Sequence, residues 1–257
     1  MSVLENIAAQ RQKLLDGIDA NEGDINLRIF EDFYPDEAHF IYELLQNAED
    51  AGATEVAFEL TSHACFFEHN GSRHFNERDI RGITGIFNSS KEDSPDKIGK
   101  FGVGFKSVFV YTDTPVIYSK DYSFKILKLV LPQPIKPKEE LGDKTRFEFP
   151  FNNPKKNVKT AFSEVKAGLE QLSETTLLFL NNLRYISWSI GEQEGAVLRE
   201  EHSTSHVEVL KLSDGKEVLS SHWLRFAAPV QNVEKFTAPM EGVERQKVAV
   251  AFELAFI

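Results

Sequence analysis

Cys65 is the only cysteine in the chain, which excludes an intrachain disulfide and any multi-cysteine zinc site. A reducing compartment is then the default, and the cytoplasm is the expected location. No apolar run reaches the length of a membrane span. The opening "MSVLENIAAQRQKLLDGI" carries acids and lacks the continuous apolar stretch of a signal peptide. Bases are also in short supply. The 29 Lys and Arg residues face 40 Asp and Glu residues, a net charge of −11, which argues against non-specific binding to nucleic acid or anionic membranes. Trp and Tyr number two and six, whereas Phe numbers 21, so any aromatic core is built from phenylalanine. Internal repeats and low-complexity tracts are missing too.

What is present is ordinary globular composition, 41% hydrophobic and 27% charged over 257 residues, enough for one large domain or two small ones. The last segment, "QKVAVAFELAFI", has a strand-like apolar pattern, and a native terminus rarely ends inside a core strand. The expectation is an N-terminal portion of a longer protein, with residues 191–257 as a strand-rich extension leading into a downstream region.

Apolar spacing predicts a helix over residues 3–18 and a second from about 35 to 51, ended by Gly52. "TEVAFELTS" and "ACFFEHNG" alternate as strands, the second closing on the Asn70–Gly71 turn. "NERDIRGITGI" reads as a short helix capped by Asn76. The long polar stretch "FNSSKEDSPDKIGKFGVG" reads as a loop of the length usually reserved for functional lids. "FKSVFVYT" reads as a helix start or a buried segment. Strands follow at "TPVIYSK", "YSFKILKLVL" and "TRFEFPF", the last two separated by a Pro-rich interruption. A long helix spans "NVKTAFSEVKAGLEQLSETTLLFL", and a run of strands ends the chain. Helices and strands mix without regular βαβ alternation, so the expected class is α+β with a largely antiparallel sheet. Phe58, Phe66, Phe67, Phe147 and Phe149 are assigned to the core by strand alternation.

Two segments carry chemistry. In "ELLQNAEDAG", Glu43 and Asn47 lie four apart and Asp50 three further on, so all three share one helix side beside the apolar stripe. In "IGKFGVGFKS", Gly99, Gly102 and Gly104 would let backbone N–H groups approach an anion, with a following helix start adding a favourable dipole. The order G-x-x-G-x-G after a polar loop does not fit the dinucleotide fingerprint. Phe105 separates Gly104 from Lys106–Ser107, so the Walker A loop does not fit either. His63, His69 and His74, at spacings of six and five, match no metal-ligand signature. Alone, Glu43 reads as a solvated acid, Asn47 as a surface amide, and Lys91, Lys97, Lys100 and Lys106 as a solvated face.

Taken together, Glu43-x-x-x-Asn47-Ala48-x-Asp50-Ala51, the Asn70–Gly71 turn and Gly99-x-x-Gly102-x-Gly104-Phe105 resemble the GHKL ATPase superfamily. That superfamily includes the heat-shock-90-type chaperones, gyrase B, MutL and histidine kinases. "IGKFGVGFKSVFVYTDTPVIYS" and "LLFLNNLRYISW" are most similar to the N-terminal ATP-binding domain of sacsin and its prokaryotic relatives, over roughly residues 30–190. The resemblance implies a Bergerat fold, a two-layer α/β sandwich over residues 1–190 with an ATP lid at about 83–98. It implies ATP and Mg²⁺ as cofactors, Glu43 as general base and Asn47 as the Mg²⁺ ligand. Asp50 and Ala51 would lie toward the nucleoside. Gly99, Lys100, Phe101, Gly102, Val103, Gly104 and Phe105 would bring backbone donors to the phosphates, with Lys106 as a charge partner. Ser89, Ser90 and Lys91 of the lid could touch phosphate, and Thr145 would help hold the adenine.

The superfamily's second motif usually reads Asp-x-Gly, and its Asp accepts the adenine amino group. Here "EHNG" puts His69 at that position, followed by Asn70 and Gly71, and a neutral His69 or the Asn70 oxygen would have to accept that bond instead. The resemblance further implies a nucleotide-controlled switch inside a larger chaperone-like or bacterial defence protein. Its partners would be ATP or ADP, downstream domains of the same chain, an ATP-dependent dimer mate and a protein client. A non-hydrolysing sensor or structural interaction module is the alternative. A DNA-processing ATPase is disfavoured by the acidic charge.

Overall fold

The structure is a computed structural model that describes residues 2–21, 27, 38–85, 104–229 and 247–254. Helix α1 (Val3–Asp19) starts at Ser2, which forms a reciprocal capping box with Glu5, and it buries Leu4, Ile7 and Leu15. Helix α2 (Phe40–Asp50) buries Phe40, Ile41, Leu44, Leu45, Ala48 and Glu49. It ends in a Schellman motif: Gly52 takes φ +72°, and the N–H groups of Gly52 and Ala53 reach the carbonyls of Glu49 and Ala48. Strands β1 (Glu55–Leu60) and β2 (Ala64–His69) form the expected hairpin, and α3 (Glu77–Ile83) is capped by Asn76, whose side chain accepts from Arg78 and Asp79.

A 3₁₀ helix, Gly104–Val110, leads into β3 (Val116–Ser119), β4 (Tyr122–Leu127), β5 (Leu131–Pro134) and β6 (Thr145–Pro150). The Pro-rich interruption is therefore partly a strand. Pro132 and Pro134 are tolerated because β5 is the edge of the sheet, where a missing N–H breaks no ladder on the open side. The single long helix expected near residue 170 is two, α4 (Val158–Glu170) and α5 (Glu174–Leu178), because Ser173 opens a new N-cap. Strands β7 (Tyr185–Ile190), β8 (Gln193–Glu201), β9 (His206–Ser213), β10 (Lys216–Pro229) and β11 (Lys247–Leu254) follow.

Among the described residues, eleven strands form one sheet in the order β11-β10-β9-β8-β7-β1-β2-β6-β3-β4-β5. Neighbours are antiparallel except β1 and β7, so the class is α+β with a large mixed sheet. Burial alternates along β1, β2, β6 and β7, which packs one face of the sheet. Phe58, Phe67, Phe147 and Phe149 meet there, with ring centroids 4.7 to 6.2 Å apart, and Phe40 and Phe105 join them. Phe66 does not. It neighbours Phe67, so the pleat sends it to the opposite face, where the Arg146 guanidinium lies 4.6 Å from its ring.

The boundary expected at residue 190 falls in the hairpin turn between β7 and β8 of this continuous sheet. Strand β11 is not a core strand: it is the other sheet edge, and Phe252 is 61% exposed. Among the described residues no helix is long and apolar enough to cross a membrane.

Candidate functional site

Glu43, Asn47 and Asp50 share the side of α2 that flanks its buried stripe, and Glu43 keeps a quarter of its side-chain surface exposed. His39, one turn earlier, places Nε2 3.5 Å from Glu43 Oε1. An i,i+4 pair at that distance with a partly exposed partner constrains the carboxylate little. Across from it lies Gly104. A Cβ on Gly104 would meet Oε2 and Cδ of Glu43, so the Glu43 carboxyl in its present rotamer lies directly against the side-chain-free start of the 3₁₀ helix. The two chemical segments of the sequence, sixty residues apart, therefore meet.

Phe105 is buried among Phe147 and Phe149 and acts as the anchor that holds this junction. Lys106 is a different matter from the expectation. Its Nζ is buried in the core and donates to the carbonyls of Ile83 (2.8 Å) and Leu129 (2.6 Å). Burial pulls its pKa down to about 7. A neutral amine has two N–H groups for those two carbonyls, so Lys106 ties the end of α3 to the β4–β5 turn and is already engaged. A phosphate partner would have to be another group.

At the other end of α2, Ala51 packs against Gly71, where a Cβ would come 2.8 Å from both the Ala51 Cβ and its carbonyl oxygen. His69 is buried beside them, and its Nδ1 accepts the Gly71 N–H at 3.1 Å. Burial, helped by the neighbouring His74 and Arg73, holds its pKa down at about 4. The ring is therefore neutral with its proton on Nε2, and offers a donor where an acceptor was expected. Asn70 is committed to the backbone: its Oδ1 accepts from Thr54 and Glu55, and its Nδ2 donates to Thr54 Oγ1.

Strand register lines up His69, Thr145 and Ser119 as direct cross-strand neighbours on the packed face. Thr145 is fully buried, its hydroxyl 2.9 Å from Ser119 Oγ, which also accepts the Phe75 N–H. Ser89, Ser90, Lys91, Gly99, Lys100, Phe101, Gly102 and Val103 lie outside the described residues, as does the expected lid beyond Gly85.

Two residues that sequence reasoning passed over frame the site. Glu49 is buried, and its carboxylate accepts the N–H groups of Asn181, Asn182 and Leu183, fixing the C-terminal half of α2 to the segment before β7. The signal was present: Glu49 falls on the apolar stripe with Leu45 and Ala48, where an acid needs donors. Arg199, on β8, is buried and donates to the carbonyls of Leu177, Leu180 and Asn181. Nothing local in the sequence marks it.

A family model described as "Sacsin domain" matches residues 62–167, a stretch that holds His69, Gly71, Gly104 and Thr145 but not α2. Sacsin of Homo sapiens is 39% identical over 105 residues, covering 34% of this chain and 2% of that protein. Protein NO VEIN of Arabidopsis thaliana is 25% identical over 252 residues, covering 87% of this chain and 9% of that protein. The chain thus spans under a tenth of the length of either relative, and the similarities support a sacsin-like relationship.

Proposed function

We propose that this chain is a GHKL-type module that binds a purine nucleotide with Mg²⁺ and works as a nucleotide-controlled switch within a larger protein. The observation that carries the reading is the junction of Glu43 with Gly104, one helical turn from the Asn47 amide. An acid, an amide and a side-chain-free backbone at one point form a donor set suited to a hydrated hard cation and a phosphate chain. The α+β architecture, with one packed sheet face and helices upon it, is compatible with a Bergerat sandwich. Mg²⁺, when bound, would neutralise phosphate charge. Asn47 would hold it through the amide oxygen. Glu43 would take the proton of an attacking water as its oxygen bonds to the γ-phosphorus and the bond to the β–γ bridging oxygen breaks.

The base end departs from the superfamily pattern. With Nε2–H as its polar edge, His69 suits an acceptor, such as adenine N1 or a purine O6, and not the adenine amino group. Titration calorimetry with ATP, GTP and ADP, each with Mg²⁺, tests the reading. Binding in the micromolar range is expected, with little preference for ATP over GTP, and no binding at millimolar nucleotide would end the proposal. His69→Asp, which restores a carboxylate acceptor, should tilt the preference toward ATP by about tenfold.

His69 also favours a second reading, a sensor that binds nucleotide without turning it over. Phosphate release by the intact protein separates the two: Glu43→Ala abolishes it in an ATPase and leaves an unchanged baseline in a sensor. Dimerisation on ATP, docking of downstream domains and a protein client belong to the same proposal.

A further inference from the structure

On the face of the sheet opposite the buried Val207 and Val209, the β8–β9–β10 meander gathers three of the chain's seven histidines around one carboxylate. Glu208 on β9 is the direct cross-strand neighbour of His222 on β10, and His206 lies two residues from Glu208 on the same side. His202 sits in the turn before β9. That turn is fixed by the His202 and Ser203 N–H groups bonding to the His206 carbonyl, and by Ser203 Oγ accepting from His206. It folds the His202 ring over the strands, so the three ring centroids are 4.9, 5.1 and 5.9 Å apart.

The nitrogens are aimed. His202 Nε2 is 2.7 Å from Glu208 Oε2, and His222 Nε2 is 3.6 Å from Glu208 Oε1. One ligand atom from each of His202, Glu208 and His222 lies within 4.8 Å of the other two. A tetrahedral ion with bonds of about 2.0–2.1 Å needs ligand atoms about 3.3 Å apart, so rotation of the side chains closes the set without moving a strand. Around these three stands a supporting layer. Ser220 Oγ donates to Glu208 Oε1 at 2.8 Å, and His222 Nδ1 lies 2.9 Å from His206 Nε2. A metal-bound imidazole orients itself through such a bond on its other nitrogen, and a metal-bound carboxylate through such a hydroxyl.

We propose that His202, Glu208 and His222 form a binding site for a divalent transition ion of the zinc class, with His206 and Ser220 orienting the ligands. Two nitrogens and one carboxylate suit Zn²⁺ and its neighbours in the first row, and not Mg²⁺ or Ca²⁺, which take oxygen ligands. The fourth position is left to water or to a rotated His206. The ion would clamp the β8–β9 turn onto β10, adding to the side-chain bonds that already cross these strands, such as Ser220 to Glu208 and Arg225 to Glu201. The site is independent of the nucleotide reading, since none of its residues belongs to that site.

The test is Zn²⁺ binding to the whole chain by calorimetry, with Co²⁺ as the spectroscopic probe. The expected result is one ion with a dissociation constant of about 1 µM or tighter, and Co²⁺ absorption of the low-coordinate kind. Glu208→Gln and His222→Ala should each weaken binding at least about tenfold, and Ser220→Ala should weaken it less. All three substitutions lie on a partly exposed face, and thermal melts confirm folding. Two results would overturn the site: no saturable Zn²⁺ binding at about 100 µM free ion, or equal affinity in the wild type and the Glu208→Gln and His222→Ala variants.

Discussion

Lys106 shows how much a single side chain depends on its surroundings. It follows the glycine segment, and in a string of letters that adjacency suggests a phosphate partner. In the fold its Nζ is sealed between two carbonyls, with the Phe109 ring centroid 5.3 Å away. Its pKa falls from 10.5 toward about 7 because burial penalises the charge. Between those two values the unfolded chain binds one proton more than the folded chain, so stability rises with pH across the window. The slope is up to about 1.4 kcal/mol per pH unit, and below about 7 the charged form imposes its full cost. Urea unfolding at pH 7 and pH 9 checks this: the wild type should gain over Lys106→Met between the two. Parallel curves would show that the ammonium stays charged in the core. Nucleotide affinity should change little in that variant, because the amine is buried and already bonded to two carbonyls.

At the scale of elements, the contact that matters is α2 against the 3₁₀ helix. Its amphipathic pattern and Gly52 stop made α2 legible from spacing alone, and the side shared by Glu43, Asn47 and Asp50 followed from the helical repeat. That Gly104 seats on Glu43 was legible only as a pairing of motifs, since no local rule brings them together. The junction makes a prediction of its own. Gly104→Ala should cost up to about 1 kcal/mol in denaturant melts, because the new methyl group displaces the flexible, partly exposed Glu43 carboxyl. Glu43→Ala/Gly104→Ala should recover most of that loss, a coupling of about 0.5–1 kcal/mol in a double-mutant cycle. Additive losses would mean that the two elements do not touch. Other element-scale surprises have the same local causes. Ser173 interrupts a long apolar-periodic stretch by capping a new helix, and Pro132 and Pro134 sit in a strand because it is an edge.

For the whole molecule, the eleven-stranded sheet is the organising fact, and two of its last four strands are tied to the helices. Arg199 from β8 and Arg225 from β10 both donate to carbonyls at the end of α5, Arg199 to those of Leu177 and Leu180 and Arg225 to that of Leu178. A cationic side chain on unsatisfied helix C-terminal carbonyls both completes hydrogen bonds and complements the dipole. Arg199→Met keeps much of the volume and removes the donors, so it should lower stability by about 2–4 kcal/mol. The loss should appear in a single cooperative transition that includes α2, because Glu49 joins α2 to the same 181–183 segment. Two separate transitions would instead show that the region after residue 190 folds apart from the rest.

The sequence by itself determined the elements whose causes are local: amphipathic helices, capping residues, alternating strands, the aromatic core and the alignment of three polar groups on α2. These depend on neighbours within a few positions, where periodicity and backbone chemistry act directly. Only the tertiary structure decided what each polar group faces. It turned Lys106 and Asn70 into structural ties, gave His69 the tautomer set by the Gly71 N–H, and buried Glu49 and Arg199 as braces. It also gathered His202, Glu208 and His222 across two hairpins, where the only local hint was two histidines four apart. Such partners are set by strand register and by desolvation, and both are properties of the assembled sheet that no short stretch of chain contains.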